Sequence, residues 1–336
     1  MPPPGSAPSV EAMQIIEVDR FGGPEVLVPR AVPDPVPGPG QVVVRTAAAD
    51  VLFLDTMIRS GSATEFFPLR PPYVPGNGVS GAVAATGADV DPGWRGRPVI
   101  AHTGEHGGTG GYAGQVAVPA GDLIPVPDGV GLDEAAALLH DGATAIALLE
   151  TAAVEPGDWV LVTAAAGGMG GLLIQLARAA GGRVIGAARG QRKLAAARAS
   201  GAEFAVDYSE PGWPGRVREL TGGLGADVVF DGGGGLLGRA AFGAAADGGR
   251  FSAHGTSDGG FAQVGQADAR QHGITLTGIP PYVPATFRRH GATALAAAAA
   301  GRLRPVIGQA YPLSEAADAH TALENRAAVA KTLLHP

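Results

Sequence analysis

The chain has 336 residues, of which 46% are hydrophobic and 16% charged, with a formal net charge of −7 and no cysteine. This length supports two domains, and the acidic balance without a Lys/Arg block excludes a nucleic-acid-binding surface. The lack of cysteine excludes disulfides, thiolate metal ligands and cysteine nucleophiles. We find no apolar run of about 18 residues and no signal-peptide pattern. We therefore expect a cytoplasmic protein with a small-molecule substrate and no membrane partner.

The pattern of predicted secondary structure changes near residue 138. Residues 1–12 are rich in Pro, Gly and Ser, and we predict that they are disordered. Residues 13–137 alternate short β-rich runs with Gly/Pro turns, which predicts a mostly antiparallel, barrel-like region. Residues 138–282 alternate strands with helices, which is typical of a doubly wound parallel sheet. We expect the tail, 283–336, to return to the first domain.

Six short apolar runs in the second region predict strands that are buried on both faces. Their spacing fits parallel β-α-β units. The predicted strands are Trp159–Thr163, Arg183–Ala187, Phe204–Asp207, Val228–Phe230, Arg250–Ala253 and Thr275–Gly278.

A glycine cluster follows the first of these strands and opens a helical pattern. It fits A-x-G-x-x-G, with Ala165 in place of the first glycine. Such a turn lets the backbone approach a pyrophosphate, and the helix N-terminus favours the anion. The alternative is a tight strand-to-helix turn without a ligand. We predict a dinucleotide site whose loop residues are Ala166, Gly167, Gly168, Met169 and Gly170.

The end of the second strand indicates which dinucleotide binds. NAD sites place Asp or Glu there for the ribose 2′-hydroxyl, whereas NADP sites offer an arginine to the 2′-phosphate. Here Ala188 takes the acidic position, and Arg189 and Lys193 supply positive charge. Arg192 is better explained as a solvated helix residue. We predict NADPH, bound at least about tenfold more tightly than NADH.

Several motifs in a fixed order resemble the zinc-independent quinone oxidoreductase branch of the medium-chain dehydrogenases/reductases. They are "LDT" at 54–56, "RSG" at 59–61, "GGYAGQVAVPA" at 110–120, "DGATA" at 141–145, "AAAGGMG" at 164–170 and "GAEFAVDY" at 201–208. The resemblance covers residues 13–336. It implies a GroES-like barrel catalytic domain (13–137 and 283–336), a Rossmann domain (138–282) and a homodimer.

The resemblance also assigns cofactor contacts. It implies that Tyr208 contributes to the 2′-phosphate site, although a strand-end aromatic is an equal alternative. It places the segment His254-Gly255-Thr256 along the nicotinamide half. Thr144 is expected near the nicotinamide as well.

Zinc-dependent relatives carry metal ligands at positions that match Leu52, Asn77 and His140. Leucine cannot coordinate zinc, and one imidazole with one neutral amide is too small a donor set. We therefore expect no metal. The loop that contains His102 and His106 is rich in glycine, and we interpret it as mobile.

Without metal, the expected reaction is hydride transfer from NADPH to a quinone or an α,β-unsaturated carbonyl. The Asn and Tyr that the quinone reductases place near the nicotinamide match Leu52 and Met57, which makes this wall more apolar. The residues expected to line the acceptor pocket are Leu52, Phe53, Met57, Tyr112 and Tyr282.

The candidate catalytic residues are His140, as a proton or hydrogen-bond donor, and Asn77, which would orient the substrate. Each has a structural alternative, as a core histidine and as a turn residue. Solvent could also supply the proton. For Asp55 we expect a structural bond at a helix start.

Two other functions stay open. One is an enoyl reductase for a CoA- or carrier-bound polyketide-type intermediate, with Arg288 and Arg289 near the phosphate group. The other is an NADPH-binding sensor or structural protein without turnover, because the polar pair of the quinone reductases is missing.

Overall fold

The computed structural model describes residues 12–104 and 110–336. The predicted disordered segment therefore lies outside the described residues, except for Ala12, which opens the first strand. His106 also lies outside the described residues.

The first region of the chain is mostly β-structure. Its elements are β1 (Ala12–Val18), β2 (Leu27–Pro33), β3 (Gln41–Val51), α1 (Phe53–Ser60), β4 (Gly78–Thr86), β5 (Pro98–His102), β6 (Gln115–Pro119) and β7 (Ile124–Pro125). Strands β1 and β2 form an antiparallel hairpin. The end of the chain adds α9 (Ala316–Glu324), β14 (Ile307–Pro312) and β15 (Lys331–His335).

The larger sheet of this region has the order β14–β15–β3–β4–β5–β7, with β6 also paired to β3. β15 runs antiparallel to β3 and parallel to β14. Among the described residues, hydrogen bonding leaves this sheet open, so the expected barrel is not closed by backbone pairing. One edge strand, β7, spans two residues, and the other, β14, alternates half-buried and exposed positions.

The second sheet is parallel and has the order β10–β9–β8–β11–β12–β13. Its strands are β8 (Trp159–Val162), β9 (Arg183–Ala188), β10 (Phe204–Asp207), β11 (Ala226–Asp231), β12 (Ala245–Ala253) and β13 (Thr275–Thr277). All six predicted strands are present, and this order is that of a Rossmann sheet. Its helices are α3 (Gly168–Ala179), α4 (Gly190–Ala199), α5 (Trp213–Leu220), α6 (Gly235–Phe242) and α7 (Gln266–Gln271).

A long helix, α2 (Leu132–Ala152), joins the two sheets and packs beside α8 (Pro284–Ala299). It contacts β3, β4 and β5 on one side and α3 on the other. Because both sides of this helix are covered, most of its buried residues are alanine and leucine. The expected domain boundary after residue 137 falls inside this helix.

None of the described helices combines the length and the apolar character needed to cross a bilayer.

Candidate functional site

A cleft opens where the two sheets meet. It has a volume of about 240 Å³ and lies at the carboxyl ends of β8, β9 and β12. In open α/β sheets this is where nucleotides bind, at the point where the strand order reverses. The strand β15 and the helix α1 close the opposite wall.

The predicted glycine turn forms the floor of this cleft. Gly167 precedes α3 in an extended conformation, and no side chain caps the helix. A methyl group on Gly170 would lie 2.5 Å from the carbonyl oxygen of Ala164, so the helix and the turn meet at a distance that only glycine permits. The free N–H groups of the first helical turn therefore face the cleft and favour an anion.

The carboxyl end of β11 supports the turn from below. Asp231 is buried, and its Oδ1 accepts the hydroxyl proton of Thr163 at 2.8 Å. The same carboxylate accepts the backbone N–H groups of Gly233 and Gly234. Burial raises the pKa of Asp231. This residue was absent from our predicted site, although its position after a strand of the parallel sheet is a signal that could have found it.

One end of the cleft is positively charged. Lys193 and Tyr208 line it as predicted, and so does Arg326, which sequence reasoning missed and whose guanidinium pairs with Asp258 at 2.9 Å. The Nζ of Lys193 donates to the carbonyl oxygen of Arg326 at 2.7 Å. Burial, and then repulsion from the neighbouring arginines, lowers the pKa of Lys193.

Ala188 ends β9 at the same end of the cleft and carries no carboxylate. Arg189 follows it as the residue before α4, but its side chain is exposed and lies at the rim rather than in the wall. Asp207, on the next strand, accepts a hydrogen bond from the backbone N–H of Gly190 at 2.8 Å. This carboxylate is therefore already hydrogen-bonded within the protein.

The opposite end of the cleft is mostly apolar. Leu52 and Phe53 line it, together with His254. Burial lowers the pKa of His254 to about 4, so its imidazole is neutral at neutral pH. The hydroxyl of Thr256 lies 3.3 Å from the Sδ of Met57, which brings the two predicted regions together across the cleft.

Gly255, Thr256 and Thr144, three predicted cofactor residues, are not among the described residues that line the cavity. Gly255 packs against the backbone of Gly232, where a side chain would clash. Thr144 is half-buried on α2, one turn after His140.

The two candidate catalytic residues lie on either side of Gly78. A methyl group there would lie 2.7 Å from the Cε1 of His140. Asn77 donates from Nδ2 to Oδ1 of Asp55 at 2.7 Å. The backbone N–H of Leu52 donates to the other oxygen of Asp55 at 2.8 Å, which is the helix-start bond we expected.

The structure corrects the assignment of Tyr112. Its side chain is completely buried in the core of the β-rich region, where its hydroxyl lies 3.2 Å from Asp55 and 2.9 Å from His320. It therefore supports α1 from behind instead of lining an acceptor pocket. Tyr282 is partly exposed and stacks near His102, with ring centroids 5.0 Å apart, outside the cavity wall.

His102 does not lie in a loop. It is the last residue of β5, and its Nδ1 lies 2.9 Å from the Nε2 of His140. Our interpretation of this residue as part of a mobile loop is therefore wrong.

Comparison with known proteins agrees with this architecture. The "Alcohol dehydrogenase GroES-like domain" family matches residues 38–128, and the "Zinc-binding dehydrogenase" family matches residues 168–297. A quinone oxidoreductase of Sus scrofa is 32% identical over 96% of this chain and 97% of its own length. A 2-haloacrylate reductase of a Burkholderia species is 38% identical, but the match spans 64% of each chain, less than two thirds of that relative.

Solved structures share the whole fold. The quinone oxidoreductase of Escherichia coli, complexed with NADPH, superposes with a TM-score of 0.87 at 28% identity, over 96% of this chain and 100% of that one. A structure described as an NAD-dependent alcohol dehydrogenase has the same TM-score at 34% identity, over 96% of this chain and 99% of that one.

Fold and cleft together define a two-domain, nucleotide-dependent dehydrogenase/reductase. The chain belongs to the quinone oxidoreductase family of the medium-chain dehydrogenases/reductases, and it is an oxidoreductase. The predicted family and fold class are thereby confirmed.

The zinc in the name of one matching family does not fit the residues of this chain. Leu52 has no donor atom, the amide of Asn77 is bonded to Asp55, and both ring nitrogens of His140 are hydrogen-bonded. Among the residues that the structure describes, no three His, Cys, Asp or Glu side chains are grouped to hold a metal ion.

Proposed function

We propose that this protein transfers a hydride from NADPH to a quinone or an α,β-unsaturated carbonyl without catalytic zinc. The single observation that carries the proposal is the charge pattern of the cleft. One end is lined by Lys193 and Arg326 without an acidic residue at Ala188, and the other by the apolar Leu52 and Phe53.

NADPH fits the residues of the cleft, and its complex with the Escherichia coli relative supports it. The N-terminus of α3 would hold the pyrophosphate, and Lys193 would hold the 2′-phosphate, with Arg326, which is paired with Asp258 at 2.9 Å, beside it. When bound, the cofactor supplies the hydride. Lys331 also lines the cleft beside Gly168, where its charge is shared between the carboxylates of Asp50 and Asp141.

The acceptor would lie at the apolar end. Leu52 and Phe53 offer an apolar wall for a flat conjugated substrate. Asn77 and His140 remain our candidate polar groups for the acceptor, and in this structure they are hydrogen-bonded to Asp55, Asp50 and His102. The names of the relatives, quinone oxidoreductase and 2-haloacrylate reductase, both describe reduction of a conjugated acceptor.

The carrier-bound alternative has weaker support. Arg288 is paired with Asp122 at 2.9 Å, and Arg289 is paired with Glu150 at 3.0 Å. Both guanidinium groups therefore have partners within this chain and need no phosphate to neutralise them. The alternative of a cofactor-binding protein without turnover is separated from our proposal only by an activity measurement.

The test is a screen of NADPH consumption over simple quinones, simple enones and the matching enoyl-CoA thioesters, with NADH alongside. We expect oxidation of NADPH with free quinones or enones, and weaker oxidation of NADH. Turnover restricted to the thioesters supports the enoyl reductase. Tight NADPH binding without turnover on any acceptor supports the sensor.

A homodimer and a cytoplasmic location remain part of the proposal. The dimer is implied by the family resemblance, and light scattering coupled to gel filtration tests it directly. The cytoplasmic location agrees with a chain that contains no cysteine. Cell fractionation of the source organism tests it.

A further inference from the structure

Three titratable side chains beside the cleft form a hydrogen-bonded row. The Nδ1 of His140 lies 2.9 Å from Oδ2 of Asp50, and its Nε2 lies 2.9 Å from Nδ1 of His102. The three residues come from α2, β3 and β5, so the row is assembled by the fold and not by a local motif. We name these three residues the Asp-His-His row.

The first member of the row is a buried anion. Burial acts to raise the pKa of Asp50, but the neighbouring His140 and Lys331 outweigh it and lower the pKa to about 2. An ionised carboxylate only accepts hydrogen bonds, so the Nδ1 of His140 must carry a proton. In the neutral imidazole, Nε2 is then the acceptor for the Nδ1–H of His102. Within the row, the ring N–H groups of His102 and His140 that make these two bonds therefore both point towards Asp50.

This direction makes the two imidazoles a store for one additional proton. A proton that joins either ring produces a cation whose charge is balanced by the carboxylate of Asp50. Among the described residues, the charged groups near His140 also include Lys331 on β15, Asp141 on α2 and Asp55 on α1. Lys331 bridges Asp50 and Asp141, with Nζ 3.3 Å from each carboxylate, so its charge is shared between the two acids.

The row borders the cleft. Lys331, which lines the cavity, donates from Nζ to Oδ2 of Asp50 at 3.3 Å, and Leu52, two residues after Asp50, lines the apolar end. The rings of Tyr282 and Phe287 pack on His102, with centroids 5.0 and 5.6 Å away. Aromatic cover reduces the access of water and strengthens the electrostatic coupling within the row.

We propose that the imidazole pair His102–His140 delivers the proton that completes reduction of an α,β-unsaturated acceptor, and that Asp50 is the positioning residue behind it. This inference rests on the proposed function. After the hydride has bonded to the β-carbon, the electron pair of the carbon–carbon double bond forms an enolate. The protonated pair gives one proton to the α-carbon of the enolate, becomes neutral, and takes up a proton from water.

Reduction of a quinone needs a positioned acid less than reduction of an enone does. Hydride transfer to a quinone leaves a hydroquinone anion whose charge is on oxygen, and oxygen anions take protons from water directly. An enolate that is protonated at carbon depends much more on a positioned acid. The two acceptor classes should therefore respond differently when the row is interrupted.

The experiment compares His102→Gln, His140→Gln and Asp50→Asn with wild type. A matched control is His272→Gln, because His272 pairs with Asp247 at 2.9 Å on the protein surface. The measured quantity is kcat with saturating NADPH, for one enone and one quinone. NADPH affinity and the circular dichroism spectrum report whether each variant is folded.

We expect His102→Gln and His140→Gln to lower kcat for the enone by about 100-fold and Asp50→Asn to lower it by about tenfold, and each variant to lower quinone turnover by a clearly smaller factor than enone turnover. The control should change neither. In His102→Ala, added imidazole should restore part of the enone activity. Equal losses with both acceptors, or no loss with the enone, overturn the inference and leave the proposed function intact.

Lack of wild-type turnover with either acceptor would instead contradict the proposed function. A measurement that needs no turnover keeps the row itself testable. Long-range ¹H–¹⁵N spectra of the histidine rings should show His140 protonated at Nδ1 and accepting at Nε2. The opposite tautomer overturns the inference.

Discussion

Replacement of Lys193 by methionine should separate the two nicotinamide dinucleotides. Methionine keeps the length and the apolar stem of lysine but removes its charge. The Lys193 side chain lies half-buried in the cleft wall, and its Nζ is held at 2.7 Å from the carbonyl oxygen of Arg326. Burial and the repulsion of neighbouring arginines lower its pKa, so the ammonium lacks a negative partner that the 2′-phosphate would supply.

The size of the effect follows from this position. A hydrogen bond to a charged group contributes about 1.5–3 kcal/mol. Because Lys193 is only half-buried, water screens part of the interaction, and about 2 kcal/mol is a reasonable value. This corresponds to a roughly thirtyfold weaker Kd for NADPH. NADH lacks the phosphate, so its Kd should change by less than about threefold.

The assay is titration of each dinucleotide by its fluorescence, with Arg192→Met as the matched control. Arg192 is exposed on the same helix and does not line the cleft. We expect the control to weaken NADPH by less than about threefold. Equal weakening of NADPH and NADH by Lys193→Met, or an equal effect of the control, would refute the assignment of this end to the 2′-phosphate.

Three further predictions concern the turn and the buried charges. In Gly170→Ala the new methyl group would lie 2.5 Å from a backbone oxygen, so both dinucleotides should bind about tenfold more weakly. The control is Gly171→Ala, whose methyl group meets only the flexible Ser200 side chain. This variant should bind both dinucleotides as wild type does. Burial raises the pKa of Asp55 from 3.8 to about 6, so the folded protein holds this proton more tightly and loses stability as pH rises towards 6. From about pH 5 to about pH 8 wild type should lose about 1.4 kcal/mol of unfolding free energy that Asp55→Asn keeps, and parallel urea profiles for the two proteins would contradict this. Lys331→Met leaves two buried carboxylates without their cation and should lower the free energy of unfolding by about 3–5 kcal/mol, and an unchanged melting temperature would argue against the ion pairs seen here.

The parallel sheet was predictable because its signal is local. Each strand from β8 to β13 is a short apolar run between helices, and the turn at Gly167–Gly170 has a spacing that backbone geometry requires. The switch from two-residue to helical periodicity gave the order of elements, and the right-handed crossover rule then leaves few possible arrangements.

The open sheet in the first region was less predictable. Whether antiparallel strands close into a barrel depends on pairings between distant segments, such as β15 with β3, and no local pattern specifies them. The sheet stays open at its two edges, where β7 is only two residues long and β14 is partly exposed.

The same limit applies to the site. Lys193 and Tyr208 could be proposed from the sequence because they follow strands whose positions were predicted, and both line the cleft. Lys331 reaches the cleft from the last strand and Arg326 from the turn after α9, more than 100 residues away in sequence, as the bond from Lys193 to Arg326 across 133 positions shows. Tyr112 was misplaced because sequence cannot distinguish a buried aromatic side chain from one that lines a pocket.

The central claim is that the cleft directs a hydride from NADPH to a conjugated acceptor, and deuterium transfer tests it most directly. NADPH carrying deuterium on both positions of C4 is incubated with the enzyme and an enone, and the product is examined by mass spectrometry and NMR. Our account predicts one deuterium on the β-carbon for each NADPH oxidised. Oxidation of NADPH without deuterium in the product would contradict it.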